Sequence, residues 1–153
     1  MRASILDRLI DNEPHLNSEA EQNKHQQLSG LRNSIRRDLE NLLNTRCRIV
    51  EPPSDCTELA NSQLNYGLPD LATINIADVD KKKQFTAKLE SIIKTFEPRF
   101  KSVKVCYLDN AKSTDHTVRF RIDATIYADP VPESIIFDSA LEPISRTVSV
   151  QEV

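Results

Sequence analysis

The acidic residues are the first candidates for chemistry, because the chain holds 23 Asp and Glu among its 153 residues. Glu97 is the best candidate for a general acid, since it lies between Phe96 and Pro98 at the predicted end of a helix. Glycoside hydrolysis needs one such carboxyl in an apolar pocket and a second one about 5–9.5 Å away. Arg99 follows two residues later, however, and a neighbouring cation holds a carboxyl group in its charged form. The pattern therefore favours a structural ion pair at a helix-to-strand junction over a catalytic acid.

Other catalytic chemistries have little support in the residues present. A serine or cysteine triad needs a histidine held beside its nucleophile, and the chain has no G-x-S-x-G motif. The three histidines lie in polar segments, 10 and 91 residues apart, which is also too scattered for a metal site: His15, His25 and His116. Two glycines are too few for a loop that cradles phosphate groups. We therefore predict no catalytic residue, no metal site and no cofactor.

The composition predicts a protein of a reducing compartment. An odd number of cysteines without a C-x-x-C pair favours free thiols over disulfides or a zinc site: Cys47, Cys56 and Cys106. The formal net charge of -3 and the pI near 5.6 argue against a nucleic-acid partner. The chain has no run of 18 apolar residues, and acidic residues stand near the N-terminus where a signal peptide would be apolar. We expect a cytoplasmic protein with no direct insertion into a membrane.

Two stretches have the apolar spacing of amphipathic helices. The first runs over residues 28–43 and the second over residues 85–96. Pro98 ends the second helix at Phe96 or Glu97, because the residue before a proline is pushed away from helical geometry. The apolar positions of the two helices are Leu28, Leu31, Ile35, Leu39, Leu42 and Leu43, and then Phe85, Leu89, Ile92, Ile93 and Phe96.

After Pro98 the apolar period changes to that of strands. Residues 118–126 alternate strictly, with five apolar positions on one face and four polar positions on the other. Residues 103–107 alternate in the same way, and residues 134–137 and 147–150 are two shorter candidates. Helices followed by strands predict an α+β fold, in which N-terminal helices pack on a small, mainly antiparallel β-sheet.

The last candidate strand, residues 147–150, is expected at an edge of the sheet. Unpaired backbone amides and carbonyls at such an edge can accept the strand of another chain. The alternative is an edge protected by Pro143 and by local charge, and the sequence leaves both open.

The N-terminal part of the chain differs from the rest. Residues 2–10 form a short amphipathic patch, and residues 11–26 are almost devoid of core-forming side chains. We expect residues 1–26 to be a docking helix with a polar linker, and residues 27–153 to be the α+β domain. The short helix could equally dock on another protein or fold back on its own domain.

A turn of unusual composition lies between the two helices. It consists of Asn65-Tyr66-Gly67-Leu68-Pro69-Asp70, and its glycine indicates a left-handed backbone conformation. This turn, together with LLNTR at residues 42–46 and IIKTFEPRF at residues 92–100, resembles the TssE family of type VI secretion baseplate subunits. The N-terminal SILDRL at residues 4–9 is similar as well. Contractile-phage baseplate-wedge proteins are relatives of that family.

The resemblance implies a wedge-like α+β domain that binds the TssF and TssG subunits, with TssK as a further candidate partner. It also implies that an exposed strand edge templates the first ring of the TssB/TssC sheath. The family's E-P-R motif corresponds to residues 97–99 and implies a contact with the wedge core, to which Arg99 and Glu97 would offer a bidentate donor and an acceptor. One departure is Cys47, where a second arginine often follows Thr-Arg. The predicted partner-binding residues are Glu97, Pro98, Arg99, Asn65, Tyr66, Gly67, Leu68, Pro69 and Asp70.

From these observations we predict a structural baseplate component that initiates sheath assembly, located at the cytoplasmic face of the inner membrane when assembled. Members of the family often carry a "lysozyme-like" label, which does not transfer here because no convincing acid–nucleophile pair is present. The alternatives are a peptidoglycan hydrolase that uses Glu97 as its general acid, and an adaptor in an unrelated complex.

Overall fold

A computed structural model describes most of the predicted α+β domain. The described residues are 24–48, 55–69, 79–108, 117–127, 131–142 and 147–153, together with Leu9, His15, Val50 and Pro53. Most of the predicted docking helix and linker, as well as Asp70 and Pro143, lies outside them.

The helices agree with the predicted apolar stripes. Helix α1 spans Lys24–Asn44 and helix α3 spans Val79–Phe96, while a single turn, α2, spans Thr57–Ala60 and is followed by a 3-10 turn over Gln63–Asn65. Helix α1 begins three residues before the predicted domain boundary, because its first turn is polar and gives no apolar signal. Most of the stripe residues are buried in the core: Leu31, Ile35, Leu39, Leu42 and Leu43 from α1, and Phe85, Leu89 and Ile93 from α3. The other three, Leu28, Ile92 and Phe96, are partly buried and pack against it.

The sheet is a four-stranded antiparallel meander with the order β1-β2-β3-β4. Its strands are β1 (Phe100–Leu108), β2 (Val118–Ile126), β3 (Glu133–Glu142) and β4 (Thr147–Glu152). Strand β3 is much longer than the predicted residues 134–137. The prediction stopped too early because Ser139, a polar residue at a buried inward position, hides the alternation that continues to Leu141. The α+β prediction is confirmed, and β4 lies at a sheet edge as expected.

One face of the sheet carries the core. Helix α1 packs beside β4 and helix α3 beside β1, so the two helices cover the two ends of the strand order. Arg32 on α1 binds Glu133 of β3 and also Glu152 of β4, at 3.1 Å. On the opposite, polar face, Arg121 and Asp138 form an ion pair between β2 and β3 at 2.7 Å. Among the described residues, the result is two layers packed around one apolar core.

None of the helices that the structure describes is long and apolar enough to cross a membrane.

Two adjacent isoleucines on β3 test which face of the sheet carries the stability. Ile135 is 3% exposed and Ile136 is 37% exposed. We expect Ile135→Ala to lower the free energy of unfolding by about 2–5 kcal/mol, because it leaves a cavity in the core. Ile136→Ala makes the same chemical change on the polar face and should cost roughly 1 kcal/mol or less. Urea denaturation measures both, and equal losses would contradict this assignment of faces.

Candidate partner-binding site

The junction between α3 and β1 is built around a buried carboxylate. Helix α3 gives its last backbone hydrogen bond from the Glu97 amide to Ile93, at 2.8 Å, and Pro98 then prevents its continuation. Glu97 is only 5% exposed. Its Oε1 accepts from Arg99 Nε at 2.5 Å and from the Arg99 amide at 3.3 Å, and its Oε2 accepts from Arg99 Nη2. The structural ion pair predicted at this junction is therefore present.

Arg99 also ties the junction to helix α1. Its Nη1 donates to Ser34 Oγ at 3.0 Å, and its Nη2 donates to Asp38 Oδ2 at 2.6 Å. We call Ser34, Asp38, Glu97 and Arg99 the arginine cluster. Burial disfavours the charged guanidinium, but hydrogen bonds and charge from Glu97 and then from Asp38 outweigh it and raise the pKa of Arg99. The arginine is thus a permanent cation between two carboxylates.

The geometry of the cluster argues against the predicted direct contact of Arg99 and Glu97 with a partner. Four hydrogen bonds from the Arg99 side chain, to Glu97 twice and to Ser34 and Asp38, use four of the five N–H donors of a guanidinium. A bidentate grip on a partner's carboxylate would require breaking some of them. Glu97 is likewise occupied at both oxygens. Within the E-P-R motif, Pro98 alone is exposed.

The turn at residues 65–69 is fastened to the end of α1. Leu68 donates its amide to the Thr45 carbonyl at 2.8 Å and accepts from the Cys47 amide at 2.9 Å, which forms a short parallel bridge. Gly67 has a φ of +109°, so the left-handed conformation is confirmed. A Cβ at this position would lie 2.7 Å from the Thr45 carbonyl carbon and 3.0 Å from the Cys47 nitrogen. Both the backbone angle and the close approach therefore require glycine.

An aromatic contact joins this turn to the junction. The rings of Tyr66 and Phe96 meet edge to face, with centroids 5.3 Å apart. Burial raises the pKa of Tyr66, and the negative charges of Asp38 and then of Glu97 raise it further. The two segments of the predicted site, about thirty residues apart in the sequence, are thus one structural unit.

Only part of the predicted site can be touched by a partner. Glu97, Gly67 and Leu68 are buried, whereas Pro98 is exposed. Half-buried members are Asn65, Tyr66, Pro69 and Arg99, and Asp70 lies outside the described residues. The three buried residues can therefore act only by positioning their neighbours, while the exposed and half-buried ones are open to a direct contact.

Several residues beside this unit are not among those predicted from the sequence. Tyr127 is 59% exposed and lies beside the E-P-R motif, because its amide donates to the Arg99 carbonyl at 3.0 Å. Ser34 and Asp38 are one turn apart on α1, a spacing that indicates a shared face. That spacing was the only available signal, since the sequence does not show which strand α1 packs against.

The two glycines of the chain form a matched pair of tests. We expect Gly67→Ala to destabilise the fold by about 1–3 kcal/mol or more, because alanine is strained at this φ and its Cβ meets the Thr45 carbonyl. Gly30→Ala, in the exposed part of α1 with open space around it, should instead stabilise the chain by about 0.5–1 kcal/mol. Thermal unfolding of both variants would reveal the opposite signs, and two stabilising substitutions would contradict the described turn.

A second pair of variants compares a buried and an exposed arginine pair. Arg99→Leu should cost about 3–5 kcal/mol, because it leaves the buried Glu97 carboxylate uncompensated. Adding Glu97→Gln should recover part of this loss. Arg121→Leu breaks a pair whose side chains are 38% and 36% exposed and should cost much less, because solvent screens the attraction between the two charges. Chemical denaturation that gives equal losses for Arg99→Leu and Arg121→Leu would show that the arginine cluster is not structural.

Comparison with known proteins gives a family for this arrangement. A family model described as baseplate wedge protein gp25 matches residues 29–131, about two thirds of the chain. The matched part contains the arginine cluster and the 65–69 turn, and it ends before β3 and β4. No curated protein and no solved structure matches the chain significantly. The chain belongs to the baseplate wedge protein gp25 family, the family of TssE, and the resemblance drawn from its sequence is confirmed.

Proposed function

We propose that the chain is the structural baseplate subunit of a type VI secretion system that joins the wedge to the sheath. Membership of the gp25 family supports a structural role in the baseplate of a contractile injection machine. The finer assignment adds TssF and TssG, with TssK as a further candidate, as wedge partners and the TssB/TssC sheath as the structure that it initiates. Residues 1–26 are then a further docking element, and assembly takes place at the cytoplasmic face of the inner membrane.

The observation that carries the proposal is the joining of the E-P-R junction and the 65–69 turn by the Tyr66–Phe96 contact. The arginine cluster fixes the end of α3 against α1, and the parallel bridge at Leu68 fixes the turn against the segment after α1. The two clamps hold a small surface in one shape. Such preorganisation favours binding, because little conformational entropy is lost when a partner docks.

The contact surface itself consists of Pro98 and Tyr127, whose amide is bonded to the residue after Pro98, Arg99. The partly exposed Tyr66 is joined to the same junction through Phe96. Aromatic side chains are frequent anchors of protein interfaces, since they bury a large area and lose little rotamer freedom. Glu97 and Arg99 then act indirectly. They position this surface, and their direct contact with the wedge is not needed.

A second surface would serve the sheath. Strand β4 lies at the edge of the sheet, where a strand from another chain can add to the ladder. Main-chain hydrogen bonds of this kind depend little on sequence, which suits a contact that starts a polymer. A ring of subunits starts more easily on a preformed template than from free subunits, because the template removes part of the entropic cost of association.

Cell-wall hydrolysis is the enzymatic alternative. A general acid must present a proton to the substrate, but both Glu97 oxygens accept hydrogen bonds from Arg99 and the residue is buried. We therefore favour the structural role. Clearing of peptidoglycan by the purified chain, abolished by Glu97→Gln, would establish the hydrolase instead.

The wedge contact is tested by placing a carboxylate on the proposed surface. Tyr127→Asp should weaken binding to purified TssF–TssG by roughly tenfold or more, because an interface anchor is lost and a charge is buried. The control, Ala87→Asp, introduces the same group on the exposed side of α3, about 13 Å along the helix from Phe96. Titration calorimetry measures both affinities, with melting temperatures as a check on folding. Equal affinities for the two variants would remove Tyr127 from the wedge surface.

A further inference from the structure

The outward side of β4 carries a contact from the end of helix α1. In an antiparallel ladder, backbone groups of successive residues point alternately towards the partner strand and away from it. The Val153 amide donates to the Ile136 carbonyl of β3 at 3.0 Å, so the backbone groups of odd-numbered β4 residues point towards β3. The backbone groups of the even-numbered Val148 point away from β3. Its N–H and C=O therefore point to the place that an added strand would occupy.

Asn44, the last residue of α1, fills this place. Its Oδ1 accepts from the Val148 amide at 2.7 Å, and its Nδ2 donates to the Val148 carbonyl at 2.9 Å. A side-chain amide that meets one N–H and one C=O in this way imitates the peptide group of a neighbouring strand. The edge of β4 is thus shown to bind an amide in the strand-like manner.

The orientation of the Asn44 amide is fixed by its surroundings. Nδ2 also donates to the Glu40 carbonyl at 2.8 Å, so both of its contacts are to acceptors, whereas Oδ1 faces a donor. A flipped amide would place donor against donor at Val148. The backbone of Asn44 ends a 21-residue helix, which anchors the amide in position.

The cap can nevertheless be displaced cheaply. Asn44 is exposed, so a released amide would find water. A strand that replaces it would exchange two neutral hydrogen bonds at Val148 for two of the same kind. Val148 itself is only 3% exposed, and its backbone N–H and C=O are both bonded to the Asn44 amide.

The other sheet edge is closed differently. On β1 the outward amide of Val105 donates to Glu90 Oε1 of α3, at 2.8 Å. A carboxylate can only accept, so it serves the N–H and offers no donor to the carbonyl. A strand that displaced Glu90 would break a charge-assisted hydrogen bond, which is stronger than a neutral one. The edge of β4 is therefore the easier one to open.

We propose that Asn44 is a strand-mimicking cap that closes the β4 edge at Val148 in the free subunit, and that an incoming strand of another chain must displace it to pair there. This inference rests on the proposed sheath contact of β4. The cap lowers the affinity of the free edge for strands, and so disfavours premature pairing before a sheath strand arrives. Val148 lies beyond the residues that match the family model.

Asn44→Leu removes the cap, and Asn41→Leu is its control one turn earlier at another exposed position of α1. Hydrogen exchange of the Val148 amide, followed by NMR, measures in the isolated chain whether the cap protects this amide. We expect the Val148 amide to exchange at least about tenfold faster in Asn44→Leu, because it loses its acceptor, and to be unchanged in Asn41→Leu. Asn44→Asp keeps an acceptor and should preserve most of the protection. Slow exchange at the core residues Phe120 and Ile122 verifies that each variant is folded.

Binding to a purified TssB–TssC complex tests whether the cap opposes pairing with a sheath strand, a role that we call the gate. Asn44→Leu should bind roughly tenfold more tightly than the wild-type chain, because no cap has to be displaced, and Asn41→Leu should match the wild type. Unchanged Val148 exchange in Asn44→Leu would overturn the cap whatever the sheath does. Faster exchange with unchanged or weaker binding would overturn the gate. Absence of binding by all variants would contradict both the gate and the proposed sheath contact, and the exchange data would then show that the cap exists without that function.

Discussion

The arrangement of this domain depends on one half-buried cation. The guanidinium of Arg99 lies between the Glu97 carboxylate at the end of α3 and Asp38 on α1, and its position fixes where β1 begins relative to both helices. A buried ion pair adds little stability by itself, because desolvation opposes the Coulomb attraction. Its value here is orientation, since one guanidinium bonds Glu97 after α3 and Asp38 on α1 at the same time.

Much of this architecture was readable from the sequence. The apolar stripes predicted both long helices, Pro98 predicted the end of α3, and the alternation over residues 118–126 predicted β2 to the residue. Strand β3 was underestimated because Ser139 interrupts the apolar pattern although it is buried. The failure has a physical cause, since burial of a small hydroxyl is set by the neighbouring elements and not by the local pattern.

The sequence predicted which residues belong to the candidate site, but not how their side chains are arranged. Glu97, Arg99 and Gly67 were all identified, and Gly67 has the predicted left-handed conformation. The inward direction of Arg99 could not be read, because it depends on Ser34 and Asp38 across a long-range contact. Asn44 is a similar case: its residue type signals a helix end, while its bonds to Val148 span 104 positions. In both cases a polar side chain of α1 bonds a residue that is distant in the sequence: Ser34 and Asp38 bond Arg99, and Asn44 bonds Val148.

We propose that Arg99 holds the proposed wedge-binding surface in shape without leaving Glu97 and Asp38. A structure of the chain bound to TssF–TssG, at a resolution that shows side chains, tests it most directly. We predict that the Arg99 guanidinium keeps its bonds to Glu97 and Asp38 in the complex, with Pro98 and Tyr127 buried against the partner. A guanidinium turned outward onto a carboxylate of TssF or TssG would contradict the claim and make Arg99 a direct contact.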